Sequence, residues 1–180
     1  MPANEHLKSF EATDADAFKS VARAWAATVT VCVVKRKAEF VSDEKPEIDG
    51  FTATSFQTVS INPPIVLVSV TNNSSAGSLL RECSSFTMNL LNTEHENIAG
   101  AFARPLAERI AAWPTLEFSH DDAGVPLFDG IAGAFSATPR EFVDAGDHTL
   151  VLGDVTEIHK GVGNETLVYH DRAYGKVSKS

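Results

Sequence analysis

The stretch that most constrains this chain is Gly50-Phe51-Thr52-Ala53-Thr54-Ser55-Phe56-Gln57-Thr58-Val59-Ser60-Ile61-Asn62-Pro63-Pro64, followed by the apolar run Ile65 to Val70. Thr, Val, Ile and Phe favour extended backbone. Pro63-Pro64 cannot donate ladder hydrogen bonds, so the chain must turn or run extended there before the next strand. Alternation puts Thr52 and Thr54 on one face and Phe51, Ala53 and Ser55 on the other. Such a segment offers hydroxyls and main-chain N–H groups to a polar ligand without carrying charge itself. A solvated, Thr-rich edge strand satisfies the same pattern, because Thr has high β-propensity for structural reasons alone.

Residues 1–12 read as a loosely held arm and residues 13–180 as one domain. Thr13 with Asp16 resembles a capping box, and Phe18, Val21, Ala22 and Trp25 repeat at helical spacing, which predicts an amphipathic helix ending near Ala26-Ala27. Thr28 to Val34 is a β-branched run that predicts a buried strand, and Lys35 to Asp49, with Pro46, predicts a hairpin or loop. The polar run Thr71 to Ser78 leads into one or two helical turns over Leu79 to Cys83. A helix start there suits a phosphate, because its first amides are unsatisfied and its dipole favours an anion. Plain N-capping by Ser74 or Ser75 accounts for the same residues. Further strands are expected at Phe86–Leu91, Leu116–Phe118, Ile131–Phe135 with Glu141–Val143, Leu150–His159 and Leu167–Tyr169, and a second helix capped by Thr93 and Glu96 runs through Phe102. Turns fall at Asp121-Asp122-Ala123-Gly124, Asp144 to Thr149 and Gly161-Val162-Gly163-Asn164.

Six to eight strands that do not alternate with long helices make a doubly wound sheet unfavourable and a closed or partly open antiparallel barrel favourable, since a barrel removes sheet edges. No Gly-x-Gly-x-x-Gly follows a strand, and there is neither a Walker loop nor a Gly-x-Ser-x-Gly nucleophile elbow. A net charge of −9 and a pI near 5.0 argue against a nucleic acid or an anionic membrane as partner. Cys32 and Cys83 are far apart among small or apolar neighbours and read as reduced core thiols of a cytoplasmic protein. The polar N-terminus carries no signal-peptide pattern, and no apolar run is long enough to span a bilayer.

His6, His95, His120, His159 and His170 lack the spacing zinc requires and read as surface or capping groups, so no metal is expected. His148 differs, because it follows a Gly turn beside Asp147 at a strand entrance, where an imidazole can hydrogen-bond or transfer a proton; a turn histidine without function is the alternative. Arg104 and Arg109 read either as solvated surface or as guanidinium partners for a bound phosphate.

The run Gly50 to Pro64, the Ser74-Ser75 turn, Phe86 to Leu91, Phe102-Ala103, Gly146-Asp147-His148-Thr149 to Val155, Leu167 to His170 and Arg172 to Tyr174 resemble, in order and spacing, the flavin reductase-like proteins, the small reductase components of two-component flavin monooxygenases. The resemblance covers roughly residues 15–176. It implies an FMN-binding split β-barrel, mainly β and antiparallel with Greek-key connections and a few short helices. It also implies a homodimer, hydride transfer from NADH or NADPH to FMN or FAD, and a monooxygenase partner that receives the reduced flavin. Carried over residue by residue, Thr52, Ala53, Thr54 and Ser55 would line the isoalloxazine, and Ser74 and Ser75, with Arg104 or Arg109, would hold the flavin phosphate. His148 would lie on the nicotinamide side, and Tyr174 would close the site. A non-catalytic flavin carrier or sensor, and a pyridoxamine-phosphate-oxidase-like FMN enzyme, are the competing readings.

Overall fold

Strand β2 (Thr30–Arg36) organises the fold because both of its faces are buried. Cys32 and Val34 join one apolar cluster with Phe51, Val68, Phe86, Met88 and Val151, whereas Val31 and Val33 join a second with Ile98, Phe102, Phe128 and Leu167. A nearly unbroken β-branched run is what a strand with two dry faces needs. These elements come from a computed structural model describing residues 7–161 and 165–177. Residues 1–6 of the expected arm, the Val162-Gly163-Asn164 part of the expected turn and residues 178–180 lie outside the described residues.

The main sheet has seven strands in the order β3-β2-β6-β9-β10-β5-β4. They are β3 (Ile48–Ala53), β4 (Phe56–Ile61), β5 (Pro64–Thr71), β6 (Cys83–Leu90), β9 (Gly133–Ala145) and β10 (His148–Lys160) together with β2, and every pairing is antiparallel. The two edge strands, β3 and β4, are consecutive in the chain and joined only by Thr54-Ser55. Three Cα steps reach at most about 11 Å. The sheet must therefore curl until its edges face one another, giving a barrel split between β3 and β4. Members of the first cluster come from β2, β3, β5, β6, β9 and β10 and fill the interior, and the second cluster covers the outside.

Helix α2 (Ser75–Glu82) sends Leu79 and Leu80 into the inner cluster. Helix α3 (Glu96–Phe102) packs on the outer face against β2 and β3, and α4 (Leu106–Ala112) packs against α3 and β3. The short hairpin β7 (Phe118–His120) and β8 (Pro126–Phe128) contributes Phe118, Leu127 and Phe128 to the outer cluster. A separate three-stranded sheet pairs β1 (Ala27–Thr28) with β11 (Leu167–His170) and β11 with β12 (Ala173–Lys176). Helix α1 (Ala15–Arg23) buries none of its residues, and Phe18 and Val21 are 73% and 72% exposed. Among the described residues no helix is long and apolar enough to cross a membrane.

Several boundaries differ from the sequence expectation for identifiable reasons. The N-cap of α1 is Asp14, whose carboxylate accepts from the N–H groups of Asp16 and Ala17 at 3.1 and 2.9 Å. The expected strand Thr28–Val34 breaks at Val29, which donates to Leu167 and accepts from Leu91, so the chain changes sheets there. Helix α2 starts at Ser75 rather than Leu79, because the Ser74 hydroxyl caps it by accepting from the Gly77 N–H at 3.1 Å. The segments Ile131–Phe135 and Glu141–Val143 largely merge into the single strand β9. Pro139, which would end an ordinary central strand, is tolerated because it sits opposite Gly153 at a register shift. Before α3 the cap is Asn92, which opens a 3-10 turn over Thr93–His95.

Candidate functional site

Thr54-Ser55 crosses the split in the barrel, and its neighbours hold it there with their own hydroxyls. Thr52 Oγ1 donates to the Ala99 carbonyl on α3 at 2.6 Å, Ser55 Oγ donates to the Ser69 carbonyl on β5 at 2.6 Å, and Thr30 Oγ1 donates to the Ala53 carbonyl at 2.8 Å. Ala53 itself is buried in the inner cluster. Of the four residues Thr52 to Ser55, only Thr54 and Ser55 are exposed. Among the described residues nothing accepts from their main-chain N–H groups. They border two clefts of about 470 and 450 Å³, one walled by Trp25, Tyr169 and Arg172 and the other by Thr28, Phe56 and Gln57. Volumes of this size suit a small organic ligand.

A second group forms where β5 ends beside the start of β10, with Thr71 opposite His148. Gly146, at φ +65°, turns β9 into β10, and Asn72 fastens that turn: its N–H donates to the Asp147 carbonyl at 3.0 Å and its amide to the Gly146 carbonyl at 3.2 Å. Thr149 Oγ1 in turn donates to Asn72 Oδ1 at 2.7 Å, and Arg81 of α2 donates to Thr149 Oγ1 at 2.8 Å. His148 Nδ1 lies 2.7 Å from Asp147 Oδ1. A carboxylate only accepts, so Nδ1 carries the hydrogen and Nε2, 3.4 Å from Thr71 Oγ1, keeps a lone pair for another partner. The hydrogen bond from His148 is the first cause holding the Asp147 carboxyl below its ordinary value. Ser74 Oγ is engaged in capping and in a 2.7 Å bond to the Thr71 carbonyl, while Ser75 is exposed at the first helical position. With the Gly77 amide taken by that cap, the Ser75 and Ala76 amides at the start of α2 are the ones an outside acceptor could meet.

Three expected residues land elsewhere. Arg109 is 4% exposed and belongs to a buried ion pair: Nε and Nη2 donate to the two Asp49 oxygens at 3.0 and 2.8 Å, and Nη1 donates to the Arg104 carbonyl at 2.8 Å. Three of its five N–H donors are thus engaged within the fold, and burial keeps the guanidinium from an outside phosphate. Arg104 contributes its carbonyl to that lock from the exposed link between α3 and α4, and the arginine that stands on α2 is Arg81. Tyr174 packs edge-on against Tyr169 at 5.4 Å and belongs to the outer cluster, so Tyr169 is the tyrosine that lines the cleft. Burial pushes the Tyr174 phenol up. Sequence reasoning gave no site role to Asn72, Arg81, Trp25 or Arg172. The usable signal was the Asp171-Arg172 pair at a hairpin tip, between Tyr169-His170 and Ala173-Tyr174.

Among the described residues no cluster of three or more His, Cys, Asp or Glu side chains is placed to hold a metal ion. Cys32 and Cys83 are free and buried, and burial pushes the Cys83 thiol up to about 12. The site therefore offers uncharged donors, one oriented imidazole and nearby cations, with no activated nucleophile.

Residues 22–178 match the family model described as a flavin reductase like domain. The chain is 37% identical over 133 residues, 73% of its length, to the reductase component of the flavin-dependent trigonelline monooxygenase of Acinetobacter baylyi, and it spans 41% of that protein. It is 28% identical to the FMN reductase (NADH) SmoA of Agrobacterium fabrum over 98% of its own length and 94% of the relative's. The NADH:FAD oxidoreductase SgcE6 of Streptomyces globisporus superposes with a TM-score of 0.81 over 97% of this chain and 94% of that one at 22% identity, a likeness of fold.

Proposed function

The chain belongs to the flavin reductase-like family, and from that premise we propose that it transfers hydride from NADH or NADPH to FMN or FAD and supplies the reduced flavin to a partner monooxygenase. The observation that carries this reading is the exposed Thr54-Ser55 link, with its free N–H groups at the barrel split and a cleft on either side. Uncharged donors of this kind fit the polar edge of an isoalloxazine, which is neutral when oxidised and gains negative charge on reduction. Flavin supplies the hydride-accepting chemistry when bound, so a site without a nucleophile is what such a reaction needs.

The chain's own residues bind, orient and exclude water. Thr54 and Ser55 would hold the ring edge through main-chain groups, with Thr52 and Ser55 hydroxyls fixing the link from behind. Ser75 and the Ser75 and Ala76 amides of α2 would receive the flavin phosphate, with Ser74 capping Gly77 and keeping that helix start in shape. Asp147 orients His148 so that Nε2 accepts, and a positioned acceptor there suits the nicotinamide carboxamide N–H. Positioning of two reactants accounts for much of the rate such a site can give.

A second copy of the chain is the natural cover for the exposed apolar residues Phe18 and Val21 of α1 and Val59 and Ile61 of β4, the last 95% exposed. A cytoplasmic setting, in which Cys32 and Cys83 stay reduced, goes with this reading. The test is NADH and NADPH oxidation with FMN, FAD and riboflavin offered separately. Turnover with at least one flavin is expected, and none above the flavin-free rate with any of them would overturn the proposal.

A further inference from the structure

The larger cleft beside Thr54-Ser55 has a second character that the ring-binding role does not use. Lys19 and Arg23 lie one turn apart on α1, so both project from the same face. Together with Arg172 and His170 from the β11–β12 hairpin they line the cleft, and Asp171 is the single acidic residue among its lining. The chain as a whole carries 15 Lys and Arg against 24 Asp and Glu, so this concentration runs against its global charge. None of Lys19, Arg23 and Arg172 forms an ion pair with a described residue. The aromatic faces of Trp25, 78% exposed, and Tyr169, 36% exposed, border the same space.

The hairpin tip gives an independent indication. His170 pairs with Ala173, so Asp171 and Arg172 form a two-residue loop, and both have positive φ, 45° and 67°. A loop of this shape favours Asp-Gly or Asn-Gly, because glycine enters the left-handed region without steric cost. Arginine at the second position is strained there, and strain of this kind clusters at ligand-binding sites. The loop is seated by the Asp171 N–H, which donates to the Arg23 carbonyl at 3.1 Å and so ties the hairpin to the end of α1.

We propose that this cleft binds the adenosine diphosphate half of a dinucleotide, with Lys19, Arg23 and Arg172 on the phosphates and Trp25 and Tyr169 stacking on the adenine. The inference rests on the flavin reductase reading for its choice of ligand. Guanidinium groups suit phosphate oxygens through paired N–H donors, and exposed aromatic rings accept a nucleobase face. The opening of about 470 Å³ lies within the range of pockets that take nucleotide-sized ligands. Two molecules carry this half, the nicotinamide cofactor and FAD, and FMN lacks it.

Calorimetric titration of ADP alone into the full chain is the direct test, independent of any turnover. Binding is expected, with affinity that falls as salt rises. Lys19→Ala combined with Arg23→Ala should weaken it about tenfold or more, as loss of charge-assisted bonds does. Arg172→Gly should weaken ADP binding while leaving the melting temperature unchanged or higher, since glycine relieves the left-handed position. Affinity for FMN should not move. A raised Michaelis constant for NADH or NADPH in these variants would identify the nicotinamide cofactor as the source, and weakened FAD binding would identify FAD. Failure of ADP to bind at millimolar concentration, equal binding by the variants, or an equal loss of FMN affinity would each overturn the proposal. Absence of NADH oxidation with every flavin would instead remove the reductase reading while leaving ADP binding to stand or fall by itself.

Discussion

Two sets of cationic side chains in this protein do opposite work. Around Asp49, which is 1% exposed, Arg109 makes two hydrogen bonds and Arg36 stands 3.7 Å away, while Arg36 also bonds Glu82 at 3.1 Å and the Pro46 carbonyl. Every charge in that group has a partner, and the group ties α4 and α2 to β2 and β3. Around the cleft, Lys19, Arg23 and Arg172 have no ionic partner among the described residues and face solvent. Burial forces the first set into complete pairing, since an unpaired buried charge costs several kcal/mol. Water screens the second set and leaves it free for a ligand. An arginine's role here follows from its burial rather than its residue type.

The contrast breaks most sharply at Asp49. Asp49→Ala leaves the buried Arg109 guanidinium without its carboxylate and takes from Arg36 one of its two carboxylate neighbours, and it should lower stability by about 3–5 kcal/mol in denaturant unfolding. Lys19→Ala with Arg23→Ala should stay within about 0.5 kcal/mol, as exposed charges do. A similar loss from both would erase the distinction.

His148→Ala extends the comparison to a half-exposed polar group whose one described carboxylate partner is itself exposed. Its expected effect is a rise of about tenfold in the Michaelis constant for NADH or NADPH, the size of one lost hydrogen bond. Flavin affinity and melting temperature should hold. Unchanged steady-state constants would remove the positioning role.

Within the Thr-rich stretch the same distinction holds between two neighbours of one chemistry. Thr52→Val loses the bond to the Ala99 carbonyl and should cost about 1 kcal/mol, whereas Thr54→Val should cost less than about 0.5 kcal/mol. Neither should affect flavin affinity as strongly as Ala53→Pro, which displaces the backbone that would bind it. Equal flavin losses from all three would count against a main-chain site.

The smallest effect concerns pH. Burial alone would raise the Glu82 carboxyl, but hydrogen bonds from Lys45 and Arg36, and their charges, outweigh it and lower it. A carboxylate lowered on folding contributes stability above its unfolded value, near 4.5, and loses it as pH falls through its lower folded value. Unfolding followed from pH 6 to pH 3 should therefore show a decline that Glu82→Gln flattens. An identical slope in the variant would show that Glu82 adds nothing to acid sensitivity.

The mainly β class and the barrel were legible because local rules and global fold agree along β2 and β5. Their β-branched runs leave few alternatives, and the absence of long helices excludes a parallel sheet. The stretch Gly50 to Pro64 stood out as a candidate from its hydroxyls and its prolines. The division of labour among those hydroxyls was not, since the partners of Thr52 and Ser55 lie 47 and 14 residues away. The same distance hid the Arg109–Asp49 pair, separated by 60 residues, and turned a candidate phosphate ligand into part of the frame. His148 stood out as a candidate from its Gly-turn setting beside Asp147, while Thr71 as the neighbour of its Nε2 needed the register of β5 against β10.

By itself, then, the sequence determined what periodicity and turn chemistry encode locally: a strand-rich chain, an uncharged donor segment at Thr52–Ser55, and an imidazole at a turn. Tertiary structure alone decided which donors stay available, because partners 47, 14 and 60 residues away occupy Thr52, Ser55 and Arg109. It also curled the sheet until Thr54-Ser55 could bridge its β3 and β4 edges, leaving the N–H groups of those two residues open beside the cleft where Lys19, Arg23 and Arg172 converge.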